Sequence, residues 1–144
     1  MSNLSTANGD DHPEAAKKHL EDAYTLFVHH RYDGAGYLAG YVVECSLKSV
    51  ILLGRQNVLK YGHNLNKLSA EAINLASIAT AQTARYMPLR TPGHGMYAGS
   101  TGWRETLRYR PESTVSDQDA ESWIQEAENV FLSTVAKMWK DGVL

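Results

Sequence analysis

Cysteine occurs once in these 144 residues, which rules out an internal disulfide framework and a thiolate metal cluster. No segment alternates polar and apolar residues at period two with β-branched enrichment, so no sheet is indicated. The chain opens MSNLSTANGDD, without a basic region followed by an apolar run, and a reducing, cytoplasmic setting is the expectation. A phosphate-cradling glycine loop ending in Lys and Ser or Thr is missing, because Gly93, Gly95, Gly99 and Gly102 follow no strand. The histidines are scattered, none in a helical pair beside an acid, so no metal site and no cofactor is expected. Nothing marks a nucleophile elbow. A net charge of -2 excludes a chain that is basic throughout, so any affinity for anions must be local.

What the chain does have is one very apolar stretch, Tyr37 to Leu53. At 100° per residue its Leu, Val, Ala and Cys side chains cover most of a helical cylinder, which marks a central helix. The strip left over holds Tyr37, Gly40, Tyr41, Glu44, Lys48 and Arg55. Every strong polar group of this helix therefore shares one line, the first candidate for a site. An internal Glu and Lys, in a chain of mean hydropathy -0.38, argue for a core helix and against a membrane span.

Residues 1–11 are polar and aperiodic and read as a flexible leader, with a single domain over residues 12–144. Asp11 before Pro13 is a helix start, with Ala16, Leu20, Ala23, Tyr24 and Phe27 as the buried stripe and an end near Arg31. Asp33-Gly34-Ala35-Gly36 reads as the turn into the central helix, which ends at Gly54. Gly36 and Gly40 would let another backbone come close. A third helix begins at about Asn64. Residues 88–102 are rich in Gly and Pro, a long connection of the functional or disordered kind. A short helical piece covers Trp103 to Arg110, and Ser116 with Asp119 starts a last helix reaching about Lys140. The fold expected is all-α, an antiparallel up-and-down bundle of four to five helices. On the last helix Leu132, Val135 and Trp139 form an outer apolar line, which points to a homodimer contact.

Arg85, Arg90, Arg104, Arg108 and Arg110 stand against the single acid Glu105 in their stretch, interleaved with Tyr86, Tyr97, Trp103 and Tyr109. Two uses are open to them: pairing with Asp117, Asp119, Glu121, Glu126, Glu128 or Glu44, or holding an anionic, stackable ligand such as a nucleotide or single-stranded RNA. Glu44, on a mostly buried helix, must find cations. Lys48 is within reach at i+4, and an arginine of the 104–110 stretch is the expected second partner, since a guanidinium can satisfy a carboxylate. That pair would either fix helix register or hold a ligand.

These residues carry a resemblance. Tyr37-Leu38-Ala39-Gly40-Tyr41-Val42-Val43-Glu44-Cys45-Ser46-Leu47-Lys48, then Gly62-His63-Asn64-Leu65 with Leu68, then Arg108-Tyr109-Arg110-Pro111, resemble in order and spacing the elements of the HEPN family, over about His12 to Met138. The resemblance implies a helical bundle, usually a homodimer, found in prokaryotic defence and toxin–antitoxin pairs beside a nucleotidyltransferase, with some members metal-independent ribonucleases. It carries onto Glu44, Lys48, His63, Arg108 and Tyr109. The ribonuclease members use an Arg followed four to six residues later by His, and this sequence departs from that: three residues separate Arg90 from His94, seven separate Arg55 from His63, and no His follows Arg108 or Arg110. No catalytic residue is assigned on sequence. The candidate ligand-binding residues are Tyr41, Glu44, Lys48, His63, Arg90, His94, Arg104, Arg108, Tyr109 and Arg110. The rival readings are a ribonuclease with displaced Arg and His, in which His63 or His94 meets Arg108, and a partner module of a nucleotidyltransferase with no small ligand.

Overall fold

The computed structural model describes residues 1–55, 57–88 and 95–144. Among them there is no strand, and the chain is an all-helical bundle. Helix α1 spans His12–Val28, α2 Tyr32–Leu53, α3 Leu65–Ala76, α4 Asp117–Ser133 and α5 Val135–Lys140. Asp11 caps α1 by accepting from the Glu14 N–H, Asn64 caps α3 through Lys67, and Ser116 caps α4 through Asp119. Each cap satisfies a first-turn donor that has no partner within its own helix.

Helix α2 is the centre. It packs on α1, α3 and α4, and thirteen of its residues are buried. By length and composition it could cross a membrane, but 67% of its most apolar window is covered by the rest of the bundle, as a core helix requires. It begins earlier than its sequence implies. Asp33-Gly34-Ala35-Gly36 lies inside α2, and the reversal is made by His29–Arg31, with His30 at a φ of 58°. Asp33 explains the difference. Its carboxylate accepts the Ser113 and Val115 N–H groups, each at 2.7 Å, and an acid in a first helical turn also meets the positive end of the dipole.

Gly36 and Gly40 do permit close approach, but to side chains. A Cβ on Gly36 would meet Val115 and Trp123, and one on Gly40 would overlap the Trp103 indole. That indole donates its Nε1–H to the Tyr37 carbonyl at 2.9 Å. The stretch that follows forms a 3-10 turn over Glu105–Tyr109, shorter than the helical piece expected from Trp103. Within 88–102, Pro88, Met96 and Tyr97 are buried, so part of this connection belongs to the core.

The last helix is broken where its sequence pattern runs on. Thr134 leaves helical geometry at φ -120° and ψ -89°, and its buried hydroxyl donates to the Val130 carbonyl at 2.6 Å. The break turns α5, so Val135 is fully buried while Leu132 remains 55% exposed. Trp139 packs edge-on to Phe131 at 6.2 Å. Of the expected outer line, Val135 therefore belongs to the core, while Leu132 is exposed and Trp139 half-buried. Residues 1–11 carry no helix but are tied down: Ser2 donates its N–H and hydroxyl to Asp11 at 2.6 and 2.8 Å, and Leu4 packs on the core.

A methyl group at position 40 must displace the Trp103 ring. Gly40→Ala is expected to cost about 1–3 kcal/mol, the range for overpacking. Urea unfolding measures it, and an unchanged midpoint would show that the ring is free to move aside.

Candidate functional site

The polar strip of α2 becomes a connected set of contacts. Glu44 is 3% exposed, and its two oxygens are divided between two partners. Lys48 Nζ lies 2.7 Å from Oε1 and His63 Nδ1 lies 2.9 Å from Oε2. The expected second partner was an arginine; the imidazole takes that place. Because Trp103 is fixed on Gly40, the turn behind it brings Arg108 to α2 about one helical turn before Glu44.

His63 is held from both sides of its backbone. Gly62, at a φ of 53°, makes a left-handed turn, and Asn64 caps α3. A carboxylate accepts and does not donate, so Nδ1–H is the donor to Glu44, and Nε2 is the ring nitrogen without a hydrogen bond among the described residues. The side chain is 44% exposed and lines a hollow of about 360 Å³ with Tyr61, Asn66, Trp103, Arg104 and Glu105.

Tyr41 joins the two halves of the site. Its ring meets His63 at 5.9 Å, Trp103 at 5.3 Å and Tyr37 at 5.1 Å, all edge-on. Its hydroxyl lies 3.2 Å from that of Tyr37 and accepts from Arg108 Nη2 at 3.1 Å. Burial, with the Tyr37 hydroxyl beside it, pushes the Tyr41 phenol well above its usual range, so it stays a neutral hydrogen-bonding group. Arg108 donates its Nε–H to the Glu105 carbonyl at 3.0 Å, and its guanidinium lies over the rings of Tyr37 at 5.9 Å and Tyr109 at 5.5 Å. Among the described residues no carboxylate forms an ion pair with Arg104, Arg108 or Arg110. Arg85 differs, paired with Asp141 at 3.3 Å.

The structure thus brings Tyr41, Glu44, Lys48, His63 and Arg108 together, with Tyr109 beside Arg108 and Arg104 on the wall of the hollow. Arg110 faces a separate cleft. Arg90 and His94 lie outside the described residues. Two histidines of α1 went unremarked in the sequence. His19 meets the Tyr41 ring at 5.8 Å, and the Lys48 and Glu44 charges both act on His12. Their seven-residue spacing places them beside Ala16, Leu20 and Ala23, the signal that would have found them. The single thiol, Cys45, is pushed up to about 12 by burial and is chemically quiet.

Burial holds both His12 and His19 below the ordinary imidazole range, with Lys48 and Lys18 respectively adding to it, while nearby acids oppose the shift. A lowered folded value means that the unfolded chain binds more protons below pH about 6.5. Stability should therefore fall as pH drops below that point and be insensitive to these groups above it. Urea midpoints taken across this range test the effect. The double variant His12→Asn, His19→Asn should show a flatter acid limb, and an equally steep limb would remove these residues as its cause.

No curated protein and no solved structure matches this chain. A family profile, described as the HEPN domain, matches residues 10–138, most of the chain. On that match, and with a bundle of the expected all-helical kind, the chain belongs to the HEPN domain family.

Proposed function

We propose that this protein binds a nucleotide or RNA on the face where His63, Tyr41 and Arg108 meet. One observation carries the reading: among the described residues, Arg108 is held between two tyrosine rings with no acid to neutralise it, next to an imidazole whose Nε2 makes no hydrogen bond. A guanidinium kept in place by aromatic stacking has N–H groups left for a phosphate, and its ordering cost is already met in the free protein. Tyr109, 78% exposed, offers a ring on which a base can stack. Fluorescence anisotropy with a labelled single-stranded RNA tests the reading. Arg108→Ala should weaken binding at least about tenfold, the loss of one charge-assisted contact, and Tyr109→Ala by a similar factor. Equal affinity in all three proteins would place the ligand elsewhere.

A second reading is favoured by the Glu44–His63 pair. A carboxylate on Nδ1 orients the imidazole and supports it as a proton shuttle through Nε2, and Arg108 stands on the far side of Tyr41, where it could stabilise charge on a phosphate. The reaction class is metal-independent cleavage of RNA with a displaced Arg and His. Incubation with single-stranded RNA in a chelator separates the two readings. Binding without turnover removes the enzyme, whereas cleavage lost in both His63→Ala and Arg108→Ala removes the purely binding protein.

The same reading carries a cytoplasmic setting in a prokaryotic defence or toxin–antitoxin pair with a nucleotidyltransferase, and a homodimer. Leu132 is the exposed member of its expected contact. Leu132→Glu should shift sedimentation from dimer to monomer, and a monomer in both proteins would end that part of the proposal. A thermal shift on adding nucleotides separates a ligand binder from a bare interaction module, since only a binder gains stability.

A further inference from the structure

A second and larger cleft, of about 730 Å³, opens at the other end of the α2 strip, between the α1–α2 reversal and the chain after Pro111. Arg31 and Arg110 line it, with His30 and Tyr32 beside them. Neither guanidinium forms an ion pair among the described residues. His30 Nδ1 lies 2.7 Å from the Tyr32 hydroxyl, which holds imidazole and phenol together on one wall. Acids line the cleft too, and two of the three lie against backbone N–H groups at a helix start that partly offset their charge. Asp33 accepts two backbone N–H groups from Ser113 and Val115, and Asp117 sits in the first turn of α4, where it accepts from Gln118. Glu112 is the acid there without such a bond among the described residues.

The two clefts are lined by opposite ends of one short segment. Arg104 and Glu105 line the hollow at His63, Arg110 and Pro111 line the cleft at Arg31, and the turn Glu105–Tyr109 between them carries Arg108 and Tyr109. Along α2 the same interval runs from Asp33 through Tyr37 and Tyr41 to Glu44, about 16 Å of helix axis. Along the axis of a stacked helical strand, successive phosphates rise by about 3.4 Å. A mononucleotide at His63 therefore leaves the Arg31 end unfilled.

Resting on the binding reading above, we propose that the Arg31–Arg110 cleft is a second subsite of one continuous track, whose ligand is a single-stranded RNA of about four or more nucleotides rather than a mononucleotide. A base stacks on the exposed Tyr109 ring, and the phosphates follow Arg104, Arg108, Arg110 and Arg31.

Calorimetric titration with adenosine 5′-monophosphate and with oligoadenylates of two, four and six nucleotides tests the proposal. In the unmodified protein, affinity should step up about tenfold or more between the dinucleotide and the tetranucleotide. In the double variant Arg31→Gln, Arg110→Gln that step should vanish while the monophosphate binds as before, which also shows that the fold is intact. The salt dependence of hexanucleotide binding should become shallower by about one to one and a half in logarithmic slope, as expected for two lost phosphate contacts on a single strand. Arg108→Ala should weaken every length. If monophosphate and hexanucleotide bind the unmodified protein equally, or the double variant weakens the monophosphate as much as the hexanucleotide, the extended track is wrong while the His63–Arg108 site stands. If no length binds, both fall together.

Discussion

The Trp103 indole seated on Gly40 is the constraint from which the site follows. A side chain at position 40 would occupy the space of the ring, and the ring's N–H reaches a carbonyl inside α2 that already belongs to the helical ladder. Seated there, Trp103 anchors the start of the Glu105–Tyr109 turn, and the turn lays Arg108 over the Tyr37 ring and against the Tyr41 hydroxyl. One small residue on a polar strip thereby decides where the positive charge of a distant stretch comes to rest. The same glycine spacing admits Val115 and Trp123 at Gly36, so the whole 103–123 region is docked through two notches one helical turn apart.

Glu44 shows why the partner of a buried acid matters more than its presence. An ion pair sealed in the core does little for net stability, because desolvation offsets most of the attraction. Here the carboxylate is enclosed but its two partners reach toward the surface, Lys48 with a side chain 12% exposed and His63 at 44%. The enclosed acid is thus linked to the surface by a hydrogen bond to an imidazole. An arginine in that position would have neutralised the acid and closed the strip; the histidine instead presents a nitrogen to the hollow and leaves Arg108 free of any acid among the described residues.

Much of this was readable along the chain, and the failures have physical causes. The apolar cylinder of α2, the helix starts at Asp11 and Ser116 and the beginning of α3 near Asn64 are local signals, and each lies where the pattern puts it. Asp33-Gly34 has the composition of a turn, but two backbone donors from residues far along the chain hold Asp33 and make it a helix start. Val135 continues the period of α4 without fault, and only the hydroxyl of Thr134, bonded back to Val130, breaks the helix and turns that residue inward. Charge pairing was the least accessible. Sequence gives the inventory of acids and bases, while His63 reaches Glu44 through the Gly62 turn and the Asn64 cap, and Arg108 reaches Tyr41 through the seating of Trp103 on Gly40, contacts that no one residue announces.

That dependence divides the site into parts with different energetic weight. Arg108 and Tyr109 stand on the outer side of the α2 strip, with solvent able to replace whatever they lose, so truncating them should act on a ligand far more than on the fold, whereas truncating His63 also strips the enclosed Glu44 of one partner. Glu44 has no such freedom, since its removal leaves the Lys48 ammonium largely enclosed with no carboxylate opposite it. Tyr41 is intermediate: its ring is wedged among Tyr37, His63 and Trp103, while its hydroxyl is the only direct hydrogen-bonded link from α2 to Arg108 among the described residues. Phenylalanine at position 41 keeps the packing and deletes that link. It is therefore the substitution that separates the contribution of the connected polar strip from that of the bundle which holds it.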